Sequence, residues 1–121
     1  MTAASYYFNN PDAPLFCLFV NLPKDMSSKM AIADNADEWV RIIIKGQIFK
    51  EDSVTPYNEL IIYAYHTDNK GYYTKKWDET GLHKQHGHLF GYCKTYTEGS
   101  YEIHTIRPGR YQDNKFPAHI H

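Results

Sequence analysis

The chain has 121 residues, of which 42% are hydrophobic and 16% aromatic, and carries a formal net charge of −1. That length holds one domain around one core, and the apolar content excludes a chain that stays disordered. The near-neutral balance gives no electrostatic reason to expect nucleic acid or an anionic membrane as partner, and no apolar run is long enough to span a bilayer.

Residues 1–38 have no clear period and are read as an irregular N-terminal extension that wraps the domain or makes an interface. Pro11, Pro14 and Pro23 interrupt them. N-N-P-D at 9–12 is a turn signal, and L-F-C-L-F-V at 15–20 is the only candidate strand. Residues 27–37 are read as holding one short helical turn. The opening M-T-A-A-S-Y-Y-F lacks the charged and apolar regions of a signal peptide, which points to the cytoplasm. A secreted or periplasmic protein whose signal has been removed stays open. Cys17 and Cys93 have no metal or redox spacing and are expected as free buried thiols, a disulfide being the alternative.

From Trp39 to His121 the pattern predicts a single all-β domain, a sandwich of short strands separated by turn signals. Residues 39–49 are rich in β-branched side chains, with Gly46 as a bulge or a close approach. Residues 51–58 form a loop around Pro56, and 59–66 (E-L-I-I-Y-A-Y-H) are a strongly apolar, central strand. Asp68-Asn69-Lys70-Gly71 is a turn, followed by Tyr72 and Tyr73. Residues 75–87 are a polar loop. Residues 89–95 and 101–106 flank Y-T-E-G-S and are read as a hairpin, with Gly99 suited to positive φ. His66 and His104 fall in strand patterns and are expected to be satisfied structural histidines.

The last seventeen residues carry the chemistry: T-I-R-P-G-R-Y-Q-D-N-K-F-P-A-H-I-H. In an extended chain His119 and His121 share one face, with Ile120 on the other, and two imidazoles so placed can hold one metal ion. Pro117 biases Phe116 away from helix. Tyr111 follows Pro108-Gly109, a turn pair able to aim a side chain inward. The blander reading is a Pro/Gly-rich loop ending in a half-exposed, frayed strand. His83, His86 and His88 form a second cluster, either a zinc or nickel site or a polar loop bordering a pocket.

R-P-G-R-Y followed by P-A-H-I-H resembles the metal end of the intradiol ring-cleavage dioxygenases, the catechol and protocatechuate dioxygenases. The resemblance runs from about Gly46 to His121, through G-Q-I-F, I-Y-A-Y-H-T-D-N-K-G-Y-Y and E-G-S-Y-E-I-H-T-I-R-P-G-R-Y. It implies a prealbumin-like sandwich holding non-haem iron(III) through two tyrosines and two histidines. Tyr111, His119 and His121 supply three of these. A Gly-x-Tyr after a strand and turn supplies the fourth in the family, which puts Tyr73 in that role, with Tyr72 as the alternative. The implied substrates are a catechol-type diol and O2, and the implied product is a muconate-type diacid. Tyr111 is implied to leave the iron and act as general base, while Tyr73, His119 and His121 stay as anchors.

The pattern departs from the family in two places. An arginine that precedes P-A-H-I-H in the family is Phe116 here, and Arg110, beside Tyr111, is the better stand-in, ahead of Arg107. Family members also continue past the second histidine, which leaves open a fragment, or completion by the N-terminal extension or a partner chain, homo-oligomers included. The same G-Q-I-F, E-G-S-Y-E-I and R-P-G-R-Y pattern is similar to transthyretin-like and regulatory sandwich modules that do no chemistry. An inactive dioxygenase-like subunit is the third reading.

Overall fold

A computed structural model describes residues 22–78, 83–111 and 117–121, with backbone alone for His83 and Lys84. The strand expected at 15–20, the turn at 9–12, Cys17 and Phe116 lie outside these residues. The described chain is mostly strand: β1 (Lys29–Ala31), β2 (Arg41–Gln47), β3 (Ile61–Tyr65), the single helical turn α1 (His83–His86), β4 (Phe90–Lys94) and β5 (Ser100–Ile106). One sheet has the order β1-β5-β2, with β1 parallel and β2 antiparallel to β5, and the other pairs β3 with β4 antiparallel.

The expected strand at 39–49 is β2 at its centre. Its isoleucines suit a pleated surface, and burial alternates along it. Ile44 packs against the core, while Ile43 is 56% exposed. Gly46 is a close approach and not a bulge. Its pairing with Tyr101 is in unbroken register, and a Cβ there would lie 2.6 Å from the Tyr101 hydroxyl. Between the sheets sit Met30, Ile32, Ala33, Ala64, Leu89, Cys93, Ile103 and Ile106. Each larger member contributes roughly 1.5–3 kcal/mol by leaving water.

Two expectations are corrected. Residues 27–37 do not form a helical turn. Lys29–Ala31 is a strand whose Met30 is buried opposite Ile103. Three residues are too few to show a period of two, so only the partner strand reveals them. Residues 89–95 and 101–106 are not the arms of one hairpin either. β4 pairs with β3 and β5 with β1 and β2, so the connection crosses from one sheet to the other. A 3-10 turn at Thr97–Gly99 makes that step, with Gly99 at φ 71° as the sequence predicts. A Cβ on Gly99 would also collide with the Ile48 carbonyl at 2.2 Å.

β3 and β4 turn Ala64 and Cys93 inward. Their other face is aromatic: Tyr63 lies opposite Tyr92, and Tyr65 opposite Phe90. Tyr63 meets Tyr65, Tyr92 and Phe90 with ring centroids 5.6, 5.0 and 6.1 Å away, respectively. Cys93 is fully buried as a free thiol, and burial pushes its pKa up to about 11.

Candidate metal centre

A turn and a loop docked on it bring the site together. In the first, Asp68 accepts hydrogen bonds from the backbone N–H of Lys70 (2.8 Å) and Tyr72 (3.0 Å), and the Thr74 hydroxyl donates to its other oxygen. These bonds hold Asp68 ionised even though burial opposes it. The loop they shape leaves Tyr72 54% exposed and turns Tyr73 inward, half-buried. From the loop after β5 the Gly109 N–H donates to the Asp68 carbonyl at 2.8 Å, docking residues 108–110 on the turn. Contact is close enough that a Cβ on Gly71 (φ 87°) would lie 1.9 Å from the Arg110 carbonyl oxygen. A Cβ on Gly109 would lie 2.4 Å from that of Asn69. Tyr111 emerges from this junction.

The C-terminal stretch supplies the other wall. Ile120 bridges His66, and His121 exchanges backbone hydrogen bonds with Tyr65, His121 N–H to the Tyr65 carbonyl at 2.9 Å and the reverse at 3.1 Å. This extended pairing puts His119 and His121 on one side and Ile120 against the core, as the alternation predicts. The imidazole Nε2 atoms are 2.9 Å apart.

Four side chains therefore converge. The Tyr111 hydroxyl lies 2.5 Å from that of Tyr73, 3.2 Å from His119 Nε2 and 2.9 Å from His121 Nε2. Tyr73 Oη is 3.3 Å from His121 Nε2. Burial, with the hydrogen bond to Tyr111 second, raises the Tyr73 pKa. Burial and the neighbouring His119 lower that of His121, which favours the neutral imidazole a metal needs.

The donor set suits a metal ion. Ligand atoms about 2.0–2.2 Å from one small cation lie roughly 3 Å from each other, as these do. His119 Nδ1–H donates to the Pro117 carbonyl at 2.8 Å, which leaves Nε2 free to coordinate. Phenolate oxygen is a hard anionic donor, and a bound cation reverses the upward pKa shift at Tyr73. Among the described residues no three His, Cys, Asp or Glu side chains converge, so the site exists only through its phenols.

Of the second histidine cluster, the described side chains of His86 and His88 turn to different partners. His86 Nδ1 is 2.8 Å from the Tyr63 hydroxyl, whereas His88 lies between Asp37 (2.9 Å) and the Thr74 carbonyl (2.7 Å). His66 is the satisfied core histidine that the strand pattern predicts, 1% exposed with both nitrogens bonded. His104 pairs with Glu102 at 2.7 Å on the outer face. Arg110 is exposed and, with Trp39, Arg107 and Ala118, borders a cavity of about 230 Å³. Sequence reasoning missed Tyr65 at the site. Its only signal is aromatic crowding, which singles out no member.

Solved structures of similar shape are dioxygenases. The dioxygenase domain of a dioxygenase carbohydrate-binding protein fusion from Streptomyces sp. SirexAA-E superposes with a TM-score of 0.60 at 23% identity, over 83% of this chain and 57% of that one. An intradiol ring-cleavage dioxygenase from Tetranychus urticae gives 0.60 at 18% identity, over 84% and 52%. The fold is thus the β-sandwich of this class of enzyme, and the chain spans little more than half the length of these structures. No curated protein sequence matches it. The family profile described as Dioxygenase matches residues 12–121, and the chain belongs to the intradiol ring-cleavage dioxygenase family.

Proposed function

We propose that this chain is the metal-bearing part of an intradiol ring-cleavage dioxygenase. In this reading it holds one non-haem iron(III) through Tyr73, Tyr111, His119 and His121, and opens a catechol-type ring with O2 between its two hydroxylated carbons. The observation that carries the reading is the meeting, within 2.5–3.3 Å, of two phenols from separate loops and two imidazoles from one extended segment. When bound, iron(III) supplies a Lewis-acidic centre for an anionic, bidentate diol.

The chain's own residues divide the remaining work. Tyr111 Oη is the atom that holds or takes up a proton. Like His121 Nε2 it contacts all three other donors, but it sits on a loop, whereas His121 is held by backbone pairing with Tyr65. His121 is fixed by its pairing with Tyr65, and His119 by its bond to Pro117. Arg110 is assigned the cationic role that Phe116 cannot fill, facing the negative charge of the bound diol.

Oxygen uptake with a panel of catechol, protocatechuate and hydroxyquinol, read together with product absorbance, tests this proposal. Uptake yielding a muconate-type product is expected. Bound iron with no oxygen consumed by any of them would move the reading to an inactive relative. A protein that stays colourless and metal-free after reconstitution would remove the metal assignment itself.

A further inference from the structure

The aromatic face of β3 and β4 runs into the metal centre at one residue. Tyr65 exchanges both backbone hydrogen bonds with His121, and their rings stack at 4.8 Å between centroids and 13° between planes. The His86 imidazole lies flat on the same ring, at 3.7 Å and 2°. His86 is itself fixed by the Tyr63 hydroxyl at 2.8 Å from Nδ1. Three nearly parallel rings thus meet at Tyr65, one of them a candidate ligand and one from the histidine cluster that the donor set leaves unused.

An imidazole on an extended segment is free to turn about its side-chain torsions even when its backbone is paired. Metal binding needs one ring plane, with Nε2 pointing at the other donors. His119 obtains its orientation from a hydrogen bond to Pro117. Stacking on Tyr65 is the corresponding restraint for His121. We infer that Tyr65 is the positioning residue for His121, and that His86, held by Tyr63, braces Tyr65 from the other cluster. The inference rests on the metal reading above and gives the residues 83–88 a role at the site without making them ligands.

The test compares Tyr65→Phe, which keeps the ring, with Tyr65→Leu, which keeps apolar bulk but no stack. His86→Ala removes the brace together with its hydrogen bond to Tyr63. Nuclear magnetic resonance of the metal-free protein reads the ring-current displacement of the His121 imidazole protons, independently of iron. Titration with iron(III) and with zinc reads affinity. Replacing a group that orients a metal ligand typically lowers affinity about 10–100-fold. Tyr65→Leu should fall in that range and lose the His121 displacement, Tyr65→Phe should keep both, and His86→Ala should weaken both less than Tyr65→Leu. Wild-type affinity in Tyr65→Leu would overturn the inference. So would an equal loss in Tyr65→Phe, which would assign the effect to the hydroxyl. If no parent or variant binds metal, the metal reading fails, and an unchanged His121 displacement in metal-free Tyr65→Leu would then sink the positioning claim separately.

Discussion

Tyr111 carries a hydroxyl that touches every other donor, a position it shares with His121 Nε2. Tyr111→Phe removes one oxygen and keeps the ring that packs 4.9 Å from His119. Three donors remain, so some iron should still bind, with weaker tyrosinate-to-iron absorption. Ring cleavage should slow by about 10²–10⁴-fold, the usual span for loss of a positioned general base. Visible spectra and single-turnover rates measure the two effects independently. Turnover at the parent's rate would take the proton role away from Tyr111.

Among the connecting elements, the docking of loop 108–110 on turn 68–72 decides whether Tyr73 and Tyr111 meet. Gly71 permits it twice over, through its positive φ and through the missing Cβ beside the Arg110 carbonyl. Gly71→Ala should cost about 1–3 kcal/mol for the backbone conformation alone, with more from the collision. Urea denaturation should show that loss, and iron capacity should fall with it. A variant of parental stability and capacity would mean the turns separate without consequence. This element was legible in the sequence, because Asp68-Asn69-Lys70-Gly71 and Pro108-Gly109 are turn signals and the H-I-H alternation fixes which ring faces where. The step from β4 to β5 was not. A short turn between two strand patterns looks the same whether its arms pair with each other or with strands elsewhere, and only distant partners decide. Tyr65 escaped notice for a related reason, since stacking on His121 joins residues far apart in the chain.

Across the whole molecule, two histidines tie elements together with opposite pH signatures. His66, after β3, donates from Nδ1–H to the Thr67 carbonyl and accepts at Nε2 from the hydroxyl of Thr105 in β5, each at 2.6 Å. Burial lowers its pKa below the ordinary 6.5. Its contribution is therefore present above 6.5 and is lost as pH falls through the folded value. Burial also works against the charged form of His88, but the hydrogen bonds to Asp37 and to the Thr74 carbonyl outweigh it and raise the pKa above 6.5. That contribution is present below 6.5 and is lost as pH rises through the folded value. Both contributions are present together near the unperturbed histidine pKa of about 6.5. His88→Gln should flatten the decline on the alkaline side, as urea midpoints across the pH range would show. An unaltered alkaline limb would exclude His88 as its source.

The separation of the donors along the chain has a thermodynamic consequence. Tyr73 and His121 stand 48 residues apart, and the unfolded chain has no reason to hold them near each other. An ion gripping both is a reversible clasp on a long loop, and the entropy of closing that loop is charged to binding. Because only the native state presents all four groups, occupancy and folding share one free energy, with about 2.7 kcal/mol added to the native state when free ion exceeds its dissociation constant a hundredfold. On the proposed reading, the residues that would grip the ion are also the ones by which it would hold two distant segments of the chain together.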